Sequence, residues 1–337
     1  MVKKLWFLLL FSFLPFFSEI KSQQVEDLGY FGEIVDFHFM DSSTIAIVSN
    51  NFENHVSIFS LDTKKIIRQY IPKGRGPEEA LSVESSALFE KMLYLKEPNG
   101  QITTIDLISH SIEEKFALPA QGNFMTVTKE ILAFGSQFII NPNMVERSKF
   151  FIPIGYILNR ETLQIIDTVK FDLKKLEIDG IRNVNHIENL FIKTYIQPVS
   201  SSEYFLAFEG DNRVFLINPT LSGSNSIIKE FKIDLPNIIQ LKVIKNDAYG
   251  YGLRYPASLT NFFTYDTTSG KKIAFSYGNQ LQKIPLGYAV YQSKNESFIY
   301  KNIKMNQEIL NGTYSFKKKN DLILGYIDYF GNLFKFN

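Results

Sequence analysis

Ile58-Phe59-Ser60-Leu61-Asp62, closed by the polar turn Thr63-Lys64-Lys65 and followed by a second apolar run Ile66–Ile71, is the unit from which the fold is read. A short β-branched and aromatic run, a cluster of turn formers and another such run predict an antiparallel hairpin. The unit recurs as Ile102-Thr-Thr-Ile-Asp106, Gly155-Tyr-Ile-Leu-Asn159, Val214-Phe-Leu-Ile-Asn-Pro219, Phe262-Phe-Thr-Tyr-Asp266 and Leu324-Gly-Tyr-Ile-Asp328. Successive Asp or Asn anchors stand 44 to 62 residues apart, room for about four strands in each interval. One four-stranded blade cannot bury both faces alone. Stacking neighbours around an axis buries them, which is the logic of a β-propeller. The expectation is an all-β, six-bladed β-propeller of four-stranded antiparallel blades. The Asp and Asn anchors are read as turn formers, because their side chains bond the backbone two residues on.

Composition agrees with this. Phe (31) and Tyr (17) are abundant, and both suit half-buried pleated surfaces. A 337-residue chain often holds two domains, but an all-β chain of this length also folds as one. The net charge of +1 gives no electrostatic case for nucleic acid. The absence of cysteine excludes disulfides, thiolate metal ligands and a cysteine nucleophile.

Residues 1–22 read as a secretory signal peptide, leaving residues 23–337 as a single propeller domain. Lys3 and Lys4 form a positive start, Leu5 to Ser18 carry no charge, and Ser22 is a small residue at the cut. That apolar run of 14 residues is short of the ~20 that a spanning helix needs, and Pro15 interrupts it. The expectation is therefore an exported protein of the periplasm or cell surface, with no transmembrane anchor in the mature chain. Cleavage removes Lys3, Lys4, Lys21 and Glu19 and turns the net charge from +1 to −1. Near the other end the chain stops at Leu333-Phe-Lys-Phe-Asn337, and residues around Val25–Ile34 are expected to supply the strand that closes the ring. Asp172 to Asn189 has helical colour and reads as an excursion between blades. Lys301 to Lys319 reads as polar and irregular.

The densest stretch is Lys73-Gly74-Arg75-Gly76-Pro77-Glu78-Glu79-Ala80. Gly74 and Gly76 reach backbone angles closed to other residues, and Pro77 keeps Gly76 out of the helical region. Such a loop either aims Arg75 at a carboxylate, phosphate or sugar hydroxyl, or pairs Arg75 with Glu78, Glu79 or a neighbouring blade as a structural corner. Lys73-Gly-Arg-Gly-Pro-Glu-Glu79 resembles the Gly-x-Gly-Pro-Gly-Glu loop of the exported six-bladed, TolB-like β-propeller proteins of bacteria. Gly325-Tyr-Ile-Asp-Tyr-Phe-Gly-Asn332 is similar to a late hairpin of that family. The resemblance implies a six-bladed propeller in the envelope and no particular activity.

A second candidate is Tyr249-Gly-Tyr251-Gly-Leu-Arg254-Tyr255-Pro256, where three tyrosines and an arginine would make an aromatic platform for a sugar or peptide, or alternate along a strand. Asn183-Val-Asn185-His186 is a weaker one. His38, His55, His110 and His186 lack zinc-site spacing, and no nucleophile elbow, phosphate loop or calcium-binding loop occurs. The expected function is non-enzymatic binding of an envelope protein, peptide or carbohydrate, through Arg75, Glu79, Tyr251, Arg254 and Tyr255 at one mouth of the channel. No cofactor is expected for it. The alternative is a calcium-dependent hydrolase or lyase acting on a lactone, ester or glycan, with metal ligands scattered over several blades.

Overall fold

The computed structural model describes residues 25–50, 53–118, 122, 124–140, 151–172, 175–176, 190–208, 213–221, 226–232, 258–267, 270–279, 284–292, 294–302, 312–319, 322–328 and 332–336. Among these the chain forms antiparallel strands in chain order. They are β1 (Val25–Tyr30), β2 (Ile34–Phe39), β3 (Thr44–Ser49), β4 (Asn54–Ser60), β5 (Lys65–Pro72), β6 (Ser85–Phe89), β7 (Met92–Lys96), β8 (Gln101–Asp106), β9 (Ser111–Ala117), β10 (Phe124–Val127), β11 (Ile131–Gly135), β12 (Gln137–Ile140), β13 (Phe151–Asn159) and β14 (Ile165–Asp172). Then follow β15 (Leu190–Pro198), β16 (Tyr204–Phe208), β17 (Arg213–Ile217), β18 (Ile227–Lys232), β19 (Ser258–Thr267), β20 (Gly270–Asn279), β21 (Ile284–Gln292), β22 (Ser297–Asn302), β23 (Gly312–Lys319), β24 (Leu322–Asp328) and β25 (Asn332–Phe336).

The sheets are meanders in the orders β2-β3-β4-β5, β6-β7-β8-β9, β10-β11-β13-β14, β15-β16-β17-β18 with β12 added beside β15, β19-β20-β21-β22 and β23-β24-β25-β1. This is an all-β propeller built from four-stranded antiparallel blades. The first strand of each sheet touches that of the next: β2 with β6, β6 with β10, β10 with β15, β15 with β19, β19 with β23, and β23 with β2. Burial follows the same radial order. The middle strands β3 and β4 are almost wholly buried, while the outermost β5 exposes its first five residues. Apolar clusters lie between neighbouring sheets, as blade stacking requires. One joins Val48 and Ile58 to Leu93 and Ile105, and another joins Ile157 and Phe171 to Leu206 and Phe215.

The N-terminal strand β1 pairs with β25, Val25 opposite Phe336 and Tyr30 opposite Asn332, and so is the fourth strand of the last sheet. That strand hides an edge that would otherwise stay open. Lys301 to Lys319 is less irregular than its composition suggests, since Gly312–Lys319 is the strand β23. Thr313 pairs with Ile327 and Phe316 with Gly325, so a register shift interrupts the strand between them. The excursion read over Asp172 to Asn189 lies mostly outside the described residues.

The turn anchors hold for three of the six expected positions. Asp106 Oδ1 accepts from the Ile108 and Ser109 N–H groups, Asn159 Oδ1 from Glu161 and Thr162, and Asn218 Oδ1 from Thr220. All three sit between the third and fourth strands of their sheets. In the first sheet Ser60 takes this place and Asp62 lies within the turn, with Thr63 N–H donating to Ser60 Oγ. Asp266 and Asp328 belong to other hairpins, β19–β20 and β24–β25. The repeat drifts because an apolar-apolar-Asp run suits any hairpin.

The hydrogen bonds from Ile108 and Ser109 hold the Asp106 carboxyl below its usual range. The stabilisation is present above the ordinary carboxylate value and is lost as pH falls through the lowered one. Asn159→Ala is expected to remove about 1 kcal/mol of stability, read as a lower denaturant midpoint, because two backbone N–H groups lose their acceptor.

Candidate functional site

The Lys73–Ala80 loop leaves β5 and leads into the second sheet. Its own backbone closes it. Gly74 N–H donates to Ala80 O (3.0 Å), Ala80 N–H to Pro72 O (3.1 Å) and Glu79 N–H to Gly76 O (3.2 Å). Unusual angles do not explain the glycines, since neither has a positive φ; the group nearest both is the Glu79 side chain. The Glu79 carboxylate folds back into the loop and accepts the Gly76 N–H at 2.6 Å. A Cβ on Gly74 would lie 2.0 Å from Glu79 Oε2, and one on Gly76 would lie 2.9 Å from Glu79 Cδ. Glu79 is thus an internal brace of the loop.

Both adjoining sheets hold the loop from outside. His55, fully buried on β4, places Nδ1 2.9 Å from Ser49 O and Nε2 2.9 Å from Ala80 O. The Asn50 amide donates to Val83 O (2.8 Å) and accepts from Val83 N–H (2.7 Å), standing in for a strand partner. Lys115 donates to Glu79 O at 2.9 Å and sits 3.6 Å from Glu97 Oε1. Below, the buried Lys96 ammonium pairs with Glu84 at 2.5 Å. Lys73, Arg75 and Glu78 are exposed, and Arg75 has no ion-pair partner among the described residues, Glu78 included. The structure therefore separates two residues read together in the sequence: Glu79 turns in and Arg75 turns out. Tyr251, Arg254, Tyr255 and His186 lie outside the described residues.

One polar group escaped the sequence reading. Ser86 Oγ on β6 lies 2.7 Å from His38 Nε2 on β2, and Asp36 Oδ2 lies 3.4 Å from that same nitrogen. A Ser–His–Asp relay needs the carboxylate on the opposite ring nitrogen from the hydroxyl. Here both face Nε2, so the trio joins two blades and lacks relay geometry. No sequence motif marks it, because Ser86 stands 48 residues from His38. Among the described residues, no three His, Asp or Glu side chains gather as metal ligands.

No protein-family model and no curated protein matches this sequence. Among solved structures, the chain is similar to the WD40 repeats of RRP9, with a TM-score of 0.51, 11% identity and coverage of 94% of this chain and 99% of that one. It is similar also to U3-55K, with a TM-score of 0.50, 10% identity and coverage of 93% and 98%. At such identities the likeness shows the fold alone, a β-propeller.

Proposed function

We propose that the protein is an exported, non-enzymatic binding propeller of six blades, which engages an envelope protein, peptide or carbohydrate through Arg75. The six-bladed ring is supported by the unbroken series of first-strand contacts that leads from β2 round to β23 and back. Export is supported by the charged, apolar and small-residue order of residues 1–22.

One observation carries the binding reading. In a loop whose Gly74, Gly76 and Glu79 N–H groups and Glu79 carboxylate are engaged internally, the Arg75 guanidinium is exposed and unpaired among the described residues, between exposed Lys73 and Glu78. A rigid loop lowers the ordering cost of binding. A guanidinium fits a carboxylate or phosphate with two parallel hydrogen bonds. The ligand group is thus an anion presented on a larger partner.

The test uses residues 23–337 and an array of peptides differing in carboxylate and phosphate content. Binding is expected to follow those anions. It should weaken roughly ten- to a hundredfold in Arg75→Ala, the range of one charge-assisted hydrogen bond. Arg75→Lys should recover part of it, losing the bidentate geometry. Arg75→Ala with undiminished binding would remove Arg75 from the site.

A further inference from the structure

We propose that His55 is a pH-sensitive latch on the Lys73–Ala80 loop, holding it shut when the imidazole carries two protons and slackening it when the ring carries one. The ring is fully buried. Nδ1 lies 2.9 Å from Ser49 O and Nε2 lies 2.9 Å from Ala80 O. Both partners are backbone carbonyls, which accept and cannot donate. A neutral imidazole has one N–H and one lone pair, so it satisfies one carbonyl and turns a lone pair on the other. Only the imidazolium donates to both. Neither ring nitrogen has a further partner among the described residues.

The two carbonyls are not equivalent. Ala80 O also accepts the Gly74 N–H at 3.0 Å, so it keeps a donor when Nε2 loses its proton. The proton that leaves is therefore the one on Nε2, with Nδ1–H kept for Ser49 O. Ala80 is the residue that closes the loop, since its N–H donates to Pro72 O and its carbonyl takes Gly74 N–H. A lone pair facing Ala80 O pushes on that junction. Lys115 still holds Glu79 O, and Asn50 still holds Val83, so the change is a local loosening of the segment that carries Arg75.

No neighbouring charge does this work in place of the ring. β3 and β4 contain no other ionisable residue. Glu33 and Glu53, on the approaches to β2 and β4, are exposed, as is Lys73. The Glu79 carboxylate accepts the Gly76 N–H, and Lys115 donates to Glu79 O beside Glu97. Closing the loop on both carbonyls takes up a proton, so closure tightens as pH falls and slackens as pH rises. The effect on binding rests on the Arg75 reading; the protonation and closure do not.

The experiment is NMR on residues 23–337 with nitrogen-15 labelling, taken from about pH 8 to about pH 5, the range in which imidazole charge changes. At the acid end both His55 ring nitrogens are expected to carry protons. Hydrogen exchange at the Gly74 amide, corrected for its intrinsic rate, should slow roughly three- to tenfold, the range of one hydrogen bond, while the Ala207 amide of a distant blade does not respond. His55→Gln, whose amide donates to one carbonyl at any pH, should lose the response, and Arg75→Ala should keep it. The affinity of the parent for a glutamate-rich peptide, divided by that of His55→Gln, cancels the peptide's own titration and should rise several-fold toward acid. A ring with one proton at every pH overturns the proposal, as does Gly74 exchange that ignores pH or a pH response that survives in His55→Gln. A peptide that binds neither protein overturns the Arg75 reading instead, and the ring and exchange data then decide the latch alone.

Discussion

Gly135→Ala is expected to lower stability by about 3 kcal/mol, at the upper end for overpacking, because the obstacle is backbone. A Cβ at Gly135 would lie 1.8 Å from the Thr194 carbonyl oxygen and 2.7 Å from its carbon. Gly135 ends β11, and there the chain leaves its own sheet. Ser136 N–H still donates to Ile154 O (2.8 Å), while Thr194 N–H donates to Ser136 O (3.0 Å). β12 then pairs with β15, Gln137 opposite Lys193 and Ile140 opposite Leu190. One segment thereby joins two neighbouring blades, from the middle of one to the inner strand of the next, and neither backbone can retreat without breaking its ladder. A urea titration should show a lower midpoint at unchanged slope. An unchanged midpoint would mean that the two blades do not meet as closely as Gly135 implies.

Phe205→Ala is expected to cost about 3–5 kcal/mol, the range for truncating a fully buried aromatic. Phe205 is wholly buried on β16. Its ring centroid lies 4.8 Å from that of Tyr291 and 5.5 Å from that of Phe298, both on the following sheet. Phe231 adds a third neighbour at 5.9 Å, edge-on. Edge-to-face pairs contribute beyond the area they bury. The cost therefore falls on the joint between blades, and Phe205→Leu, which keeps much of the volume, should lose far less. Thermal unfolding followed by circular dichroism separates the two variants. Equal losses would mean that ring geometry matters little there.

The hairpins were legible because a turn declares itself locally. Asp106, Asn159 and Asn218 bond backbone groups two or three residues away, so their role is written within a few positions. The drift at Ser60 and Asp266 shows the limit of that signal, since the residue type marks a turn without saying which turn of the blade. The crossing at Gly135 could not be read. It depends on Thr194, a partner far along the chain, and Gln137–Ile140 looks like any short strand. The Lys73–Ala80 loop was half legible. Its glycines and charges singled it out, but the inward turn of Glu79 and the outward turn of Arg75 depend on packing against His55 and Lys115. The contact of His38 with Ser86 has the same origin, because stacked blades bring together positions that no local pattern relates.

In the binding mode proposed above, Arg75, exposed on its internally bonded loop, contacts an anionic group of the partner. The most direct measurement follows the Arg75 Nε–Hε resonance and the Gly76 amide by NMR while a glutamate-rich peptide is titrated into residues 23–337. The Arg75 resonance is expected to shift and saturate while the Gly76 amide, bonded to Glu79, stays in place. A peptide that binds without moving Arg75, or that displaces Gly76 by reopening the loop, would contradict it.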